Sequence, residues 1–216
     1  MQIILSVLDF ILHIDVHLGQ IIASYGLATY AILFGIIFIE TGVVFTPFLP
    51  GDSLLFAAGA FAALGYLNIF VLIGLLMAAA VLGDTSNYWI GHFFGKKLIA
   101  NPKIPINENH IKETKKFFDK YGAKTIVLAR FVPIIRTFAP FVAGAGKMHY
   151  STFISYNVIG AIAWVLIASL AGYFFGNIAW VKENFSIIIL VIILISVIPM
   201  IVPLAKKLLR RFKKKV

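Results

Sequence analysis

Six apolar runs follow one another along this chain, at about 27–47, 53–66, 69–95, 125–146, 150–178 and 185–205, and four of its eight prolines, Pro47, Pro50, Pro133 and Pro140, fall in two zones of the series. No other feature limits the fold so sharply. A bilayer-crossing helix needs about 20 predominantly apolar residues. The 53–66 run is too short to cross alone, and Pro47, Pro50 and Gly51 interrupt the chain just before it. The 125–146 run is long enough, but it contains Arg130, Pro133, Arg136 and Pro140. Proline removes a backbone hydrogen bond from a helix interior, and broken backbone facing lipid leaves polar groups unsatisfied. Such a segment survives where it folds back as a re-entrant hairpin, buried in protein or facing a cavity. The expected fold is therefore an all-α integral membrane protein with about four transmembrane helices and two re-entrant helical hairpins, at about 40–66 and 125–146.

Composition points the same way. Of 216 residues, 61% are hydrophobic and 13% charged, whereas a soluble domain is about a quarter charged. With no cysteine, disulfides, thiolate metal sites and thiol nucleophiles are excluded. The N-terminus has neither a basic leader region nor a small-residue cleavage site, so no removable signal peptide is expected. In residues 1–24, Ser6, Asp9, His13, His17 and Gln20 form a polar row, with gaps of three and four that place them on one helix face. That pattern reads as an amphipathic helix lying in the membrane interface. His13 and His17 have a metal-ligand spacing, but wetting a polar helix face is the ordinary role of such residues, and no metal is expected.

The net charge of +10 is concentrated, with eight lysines between Lys96 and Lys124 and seven Lys/Arg between Lys206 and Lys215. In a soluble protein such clusters would suggest nucleic acid. In a membrane protein the positive-inside rule and attraction to anionic lipids explain them more simply, so nucleic acid is not expected as a partner. Both clusters are placed in the cytoplasm, and counting crossings back from them puts both termini there too. The divisions are an N-terminal helix at 1–24, a core at 25–178 with the amphipathic segment 96–124 between its hairpins, a last transmembrane helix at 179–205, and a basic tail at 206–216. Two short words recur in order: YGLAT (25–29) as YGAKT (121–125), and GHFFG (91–95) as GYFFG (172–176). In halves of opposite topology they suggest an inverted repeat, a transporter signature when broken helices meet near mid-membrane.

Glu40, Asp52, Asp84, Arg130 and Arg136 are ionisable residues within or bordering these runs. An arginine at the bilayer centre costs roughly 2.5–3.5 kcal/mol even on lenient insertion scales, so intramembrane charge is functional by default. On one straight helix Arg130 and Arg136 would point about 240° apart. Pro133 between them allows a bend that turns both toward one cavity, and Pro47 with Pro50-Gly51 can do the same for Glu40 and Asp52. The competing readings are a structural ion-pair cluster and, for Asp52, a surface position in a Pro-Gly-Asp turn. Asp84 carries less weight, with capping or interfacial roles as alternatives. Gly144, in the AGAG that closes the second hairpin, permits close packing, and Lys147 snorkels to an interface. No nucleotide loop, GxSxG, HExxH or Cys-rich metal pattern is present, which favours a transporter over an enzyme and implies no cofactor.

FIETGVVFTPFLPGDSLLFAAGA, followed by LARFVPIIRTFAPFVAGAGKM, closely resembles the bacterial DedA family, also called SNARE-associated or VTT-domain proteins. FILHIDVHL and YNVIGAIAWV extend the resemblance over nearly the whole chain, with no departure at Glu40, Pro50-Gly51-Asp52 or the Arg130–Arg136 motif. The resemblance implies lipid-carrier transport in the bacterial cytoplasmic membrane. Members are described as returning undecaprenyl phosphate to the cytoplasmic leaflet. Others move phosphatidylethanolamine, and several are linked to proton motive force. The positions matching Glu40, Asp52, Arg130 and Arg136 are the family's functional residues. Arginine suits a phosphate head as a bidentate donor, and acids beside it can carry protons or neutralise the empty site. The expected partners are a polyprenyl phosphate or phospholipid cargo and anionic membrane lipids, and a homodimer is compatible with the sequence. A proton-coupled carrier of a small cation or solute, and a non-transporting envelope factor, are the alternatives.

Overall fold

The computed structural model describes residues 22, 24–43, 51–99, 108–184, 187, 188 and 191. The row from Ser6 to Gln20, Pro47 and Pro50, most of the 185–205 run and the basic tail lie outside them. Among the described residues the structure is all-helical. In chain order it comprises α1 (Leu27–Gly42), α2 (Gly51–Ala63), α3 (Ile69–Ile99), α4 (Glu108–Tyr121), α5 (Thr125–Ala129), α6 (Pro133–Ala145), α7 (Tyr150–Gly176) and α8 (Ala179–Glu183). Two of these carry an apolar stretch long enough to cross a membrane, Ile69–Gly95 in α3 and Tyr150–Gly176, the whole of α7, each 27 residues. At 1.5 Å per residue such a helix is about 40 Å long, more than a hydrocarbon core of about 30 Å requires.

The described residues fall into two compact units. One holds Leu27–Gly51 and Phe70–Ile167, and glycine dictates how closely its helices pack. A Cβ on Gly83 of α3 would lie 1.9 Å from Thr41 Oγ1 and 2.9 Å from the Phe38 carbonyl oxygen on α1, so a side chain there would force Thr41 or the crossing to shift. Where α3 meets α6, a Cβ on Gly91 would lie 2.2 Å from the Phe141 carbonyl oxygen, and one on Gly144 would lie 2.0 Å from the Tyr88 carbonyl oxygen. Tyr88, Phe153, Ile126 and Ala139 form the core beside this crossing, and the Tyr88 hydroxyl donates to the Met148 carbonyl at 2.5 Å. The amphipathic α4 turns Ile111 and Phe118 onto Phe138, Phe141 and Val142 of α6, which leaves Lys112, Lys116 and Lys120 exposed. It ends at Gly122, whose φ of +58° is a left-handed conformation natural to glycine.

The α5–α6 break has a local cause. Pro133 opens α6 at a position whose N–H is not needed, and Val132 before it is extended, at φ −121° and ψ 105°. The N–H groups of Arg130, Phe131 and Val132 donate back to the carbonyls of Val127, Leu128 and Ala129, so these donors are satisfied at the turn.

The other unit comprises residues 1–26, 52–69 and 168–216. Here a Cβ on Gly172 would lie 1.9 Å from the Phe56 carbonyl oxygen, one on Gly59 would lie 2.1 Å from the Ser169 carbonyl oxygen, and one on Gly176 would approach Ala60 Cα at 3.0 Å. GHFFG in the first unit and GYFFG in the second thus do the same work. In each, the leading glycine faces a phenylalanine carbonyl and the trailing glycine faces an alanine, Ala145 or Ala60.

Candidate functional site

The Gly42–Gly83 approach and the α5–α6 turn bring four charged side chains together inside the first unit. Glu40, Asp84 and Arg130 are 1%, 4% and 5% exposed, and the Arg136 side chain is 12% exposed. They form two ion pairs. Arg130 Nη2 donates to Asp84 Oδ2 at 2.5 Å and to Asn157 Oδ1 at 2.6 Å. Arg136 Nη2 donates to Glu40 Oε1. Both guanidinium groups lie over the indole of Trp164, with Arg130 Cζ 5.7 Å and Arg136 Cζ 5.5 Å from the ring centroid. Thr41 and Thr137 complete the lining of the small cavity between these groups. Its volume is about 10 Å³, room for about one water molecule.

Each member is held by the fold. Gly160 leaves space for the stem of Arg130, since a Cβ there would lie 3.1 Å from both Arg130 Cδ and Nε. Asn157 Nδ2 donates to the Val81 carbonyl at 3.1 Å, tying α7 to α3 beside the Asp84 pair. Asn87, fully buried, donates to the carbonyls of Thr41 (3.2 Å) and Thr137 (2.9 Å), which joins α3 to both α1 and α6. Gly51, at the start of α2, is required by Glu40: a Cβ at residue 51 would fall 1.9 Å from Glu40 Oε2.

The structure sorts the residues singled out in the sequence. Glu40, Asp84, Arg130 and Arg136 meet at one cavity. Asp84 has no capping or interfacial role; it is the buried counter-ion of Arg130. The 240° separation of the arginines does not arise, because Arg130 caps the end of α5 while Arg136 sits in the first turn of α6. Asp52 is exposed in the first turn of α2, where a carboxylate suits the helix dipole. Gly144 packs against α3, and Lys147 is exposed with φ +56°. Sequence reasoning passed over Asn157 and Trp164. Their signal was present: they are seven residues apart, on one face of an otherwise apolar helix, with Gly160 between them.

Among its described residues the chain combines two helices long and apolar enough to cross a membrane with a buried, paired charge cluster, as a membrane protein would. It belongs to the VTT-domain (DedA) family, whose VTT domain matches residues 49–174. It is 55% identical to Protein DedA of Escherichia coli strain K12 over 192 residues, 88% of each chain. It is 44% identical over 160 residues to an uncharacterized membrane protein of Mycobacterium tuberculosis, 73% of this chain and 70% of that one. It is 32% identical over 149 residues to the inner membrane protein YqjA of E. coli, 68% of each. No solved structure matches the chain.

Proposed function

We propose that this protein is a transporter of anionic lipid, a flippase of the bacterial cytoplasmic membrane whose cargo is the polyprenyl phosphate undecaprenyl phosphate. The observation that carries the reading is the pair of buried arginine–carboxylate contacts over one indole. Two forked cations in a buried site match the oxygens of a phosphate, and the isoprenoid tail remains in lipid while the head crosses. A small-cation carrier would need acids available to the cation, whereas Glu40 and Asp84 are each engaged by an arginine.

The two arginines have different work on this reading. Arg130 is locked by Asp84 and Asn157. Arg136, the more accessible, exchanges Glu40 for the cargo phosphate. The cavity holds about one water, so this is the closed state of the site, and the Arg136–Glu40 contact must part for a headgroup to enter. Glu40 then takes up a proton, which couples transport to the proton gradient, and Asp52 takes part in that coupling. The broken segments at 40–66 and 125–146 act as re-entrant hairpins of an inverted repeat with about four crossings and both termini in the cytoplasm. The matching glycine contacts of GHFFG and GYFFG support that architecture. The protein is a carrier, not an enzyme.

Purified protein in liposomes, with labelled undecaprenyl phosphate and labelled phosphatidylethanolamine compared as cargoes, tests the proposal. Faster transbilayer movement of the phosphate carrier than of the zwitterionic lipid is expected. Equal rates, or movement of phosphatidylethanolamine alone, would overturn it.

A further inference from the structure

Trp164 is the group on which the charged site is laid out. It is 4% exposed, midway along α7, and it lies beneath two guanidinium groups that come from opposite sides of the α5–α6 break. An indole face is the strongest cation–π partner among side chains. It differs from a carboxylate in one respect that matters here. It attracts the charge of an arginine without taking up the N–H donors at the guanidinium edge.

The surrounding residues are arranged to keep this stacking. Gly160, one turn before Trp164, makes room for the Arg130 stem. Asn157, on the same face, accepts from Arg130 Nη2 and is itself tied to the Val81 carbonyl. One face of α7 therefore supplies space, an acceptor and an aromatic floor in succession. Glu40 and Asp84 reach the arginines from α1 and α3, and Trp164 from α7.

We infer that Trp164 is a positioning residue for the anion site, holding the guanidinium of Arg136 in place while its donors pass from Glu40 to a phosphate monoester. This rests on the reading of the cavity as a phosphate site. Without the ring, an arginine released from its carboxylate would have to be re-ordered by the cargo, and side-chain ordering on binding weakens affinity. With the ring, the fork stays oriented, and the cargo has only to displace the carboxylate.

The experiment uses full-length protein in lipid nanodiscs and measures the Kd of a polyprenyl phosphate beside that of the uncharged polyprenol. Trp164→Leu is expected to weaken phosphate binding by about tenfold to thirtyfold and Trp164→Phe by about twofold to fivefold, as the span of cation–π strengths implies. Polyprenol binding should stay unchanged in both. A ring that acts through the arginine also makes the losses from Trp164→Leu and Arg136→Gln less than multiplicative when combined. Phosphate affinity unchanged in both Trp164 variants, or losses that multiply fully, would overturn the role of Trp164 and leave the phosphate site standing. Wild-type protein that does not prefer the phosphate to the alcohol would overturn both.

Discussion

At the scale of single residues, the two arginines that look equivalent in RFVPIIR are not. Arg130 is enclosed by a carboxylate and an amide on two other helices, and loss of the carboxylate leaves an uncompensated charge in a low-dielectric interior. Asp84→Ala should therefore destabilise the protein by about 3–5 kcal/mol, read as a lower thermal midpoint in detergent. Arg136→Lys keeps the charge but loses the fork. It should fold like wild type and bind polyprenyl phosphate about tenfold to a hundredfold more weakly, the worth of one charge-assisted contact of about 1.5–3 kcal/mol. A lysine variant with full affinity would show that the fork is not what binds. The acids divide similarly. If Glu40 exchanges with cargo as proposed, Glu40→Gln should flatten the pH dependence of transport. Asp52→Asn, altering an exposed first-turn residue, should leave affinity within about twofold of wild type while changing that pH dependence. Proteoliposome rates measured between pH 6 and pH 8 test both, and an unchanged pH profile in either variant would overturn that residue's part in proton coupling.

The helices themselves are set by absent side chains as much as by present ones. Gly91 and Gly144 allow α3 and α6 to touch backbone to backbone, and this crossing supports the helix that carries Arg136. Gly144→Ala places a methyl where the Tyr88 carbonyl now lies, 2.0 Å from the new Cβ. Overpacking of that kind costs about 1–3 kcal/mol, so the midpoint should fall and transport should fall with it. Gly51→Ala acts differently. Its methyl meets the flexible end of Glu40 and not backbone, so the expected result is near-normal stability with a disturbed Arg136–Glu40 pair, seen as altered pH dependence. A stable Gly51→Ala protein with an unchanged pH profile would show that Glu40 does not need its present seat.

For the molecule as a whole, topology is the testable consequence of charge. Eight lysines between Lys96 and Lys124 should put that segment in the cytoplasm by the positive-inside rule. Asn109→Cys offers a clean probe because the chain has no cysteine of its own. It should resist an impermeant thiol reagent added to intact cells and react once the membrane is opened. Labelling before permeabilisation would reverse the orientation. The row of Lys112, Lys116 and Lys120 faces away from the apolar contacts of α4, which suits a helix lying beside an anionic leaflet.

Much of this was legible along the chain. Hydrophobicity is a local property, and lipid forbids unpaired backbone, so a long apolar run broken at Pro133 already restricts the fold to buried helical segments. At Pro140, where the sequence suggested a second break, α6 runs on. The high cost of charge in a membrane likewise marks Glu40, Arg130 and Arg136 without any coordinates. Which charges meet was not legible. Asp84 and Arg130 are 46 residues apart and Glu40 and Arg136 are 96 apart, and spacing along a chain carries no information about contacts of that range. Asn157 and Trp164 escaped notice for the same reason: one asparagine and one tryptophan in an apolar helix are unremarkable until α5 and α6 lay two guanidinium groups against them. Composition and periodicity select helices that must be buried together. The pairing of their side chains depends on how closely those helices approach, and here that distance is set by glycines whose partners lie on other helices.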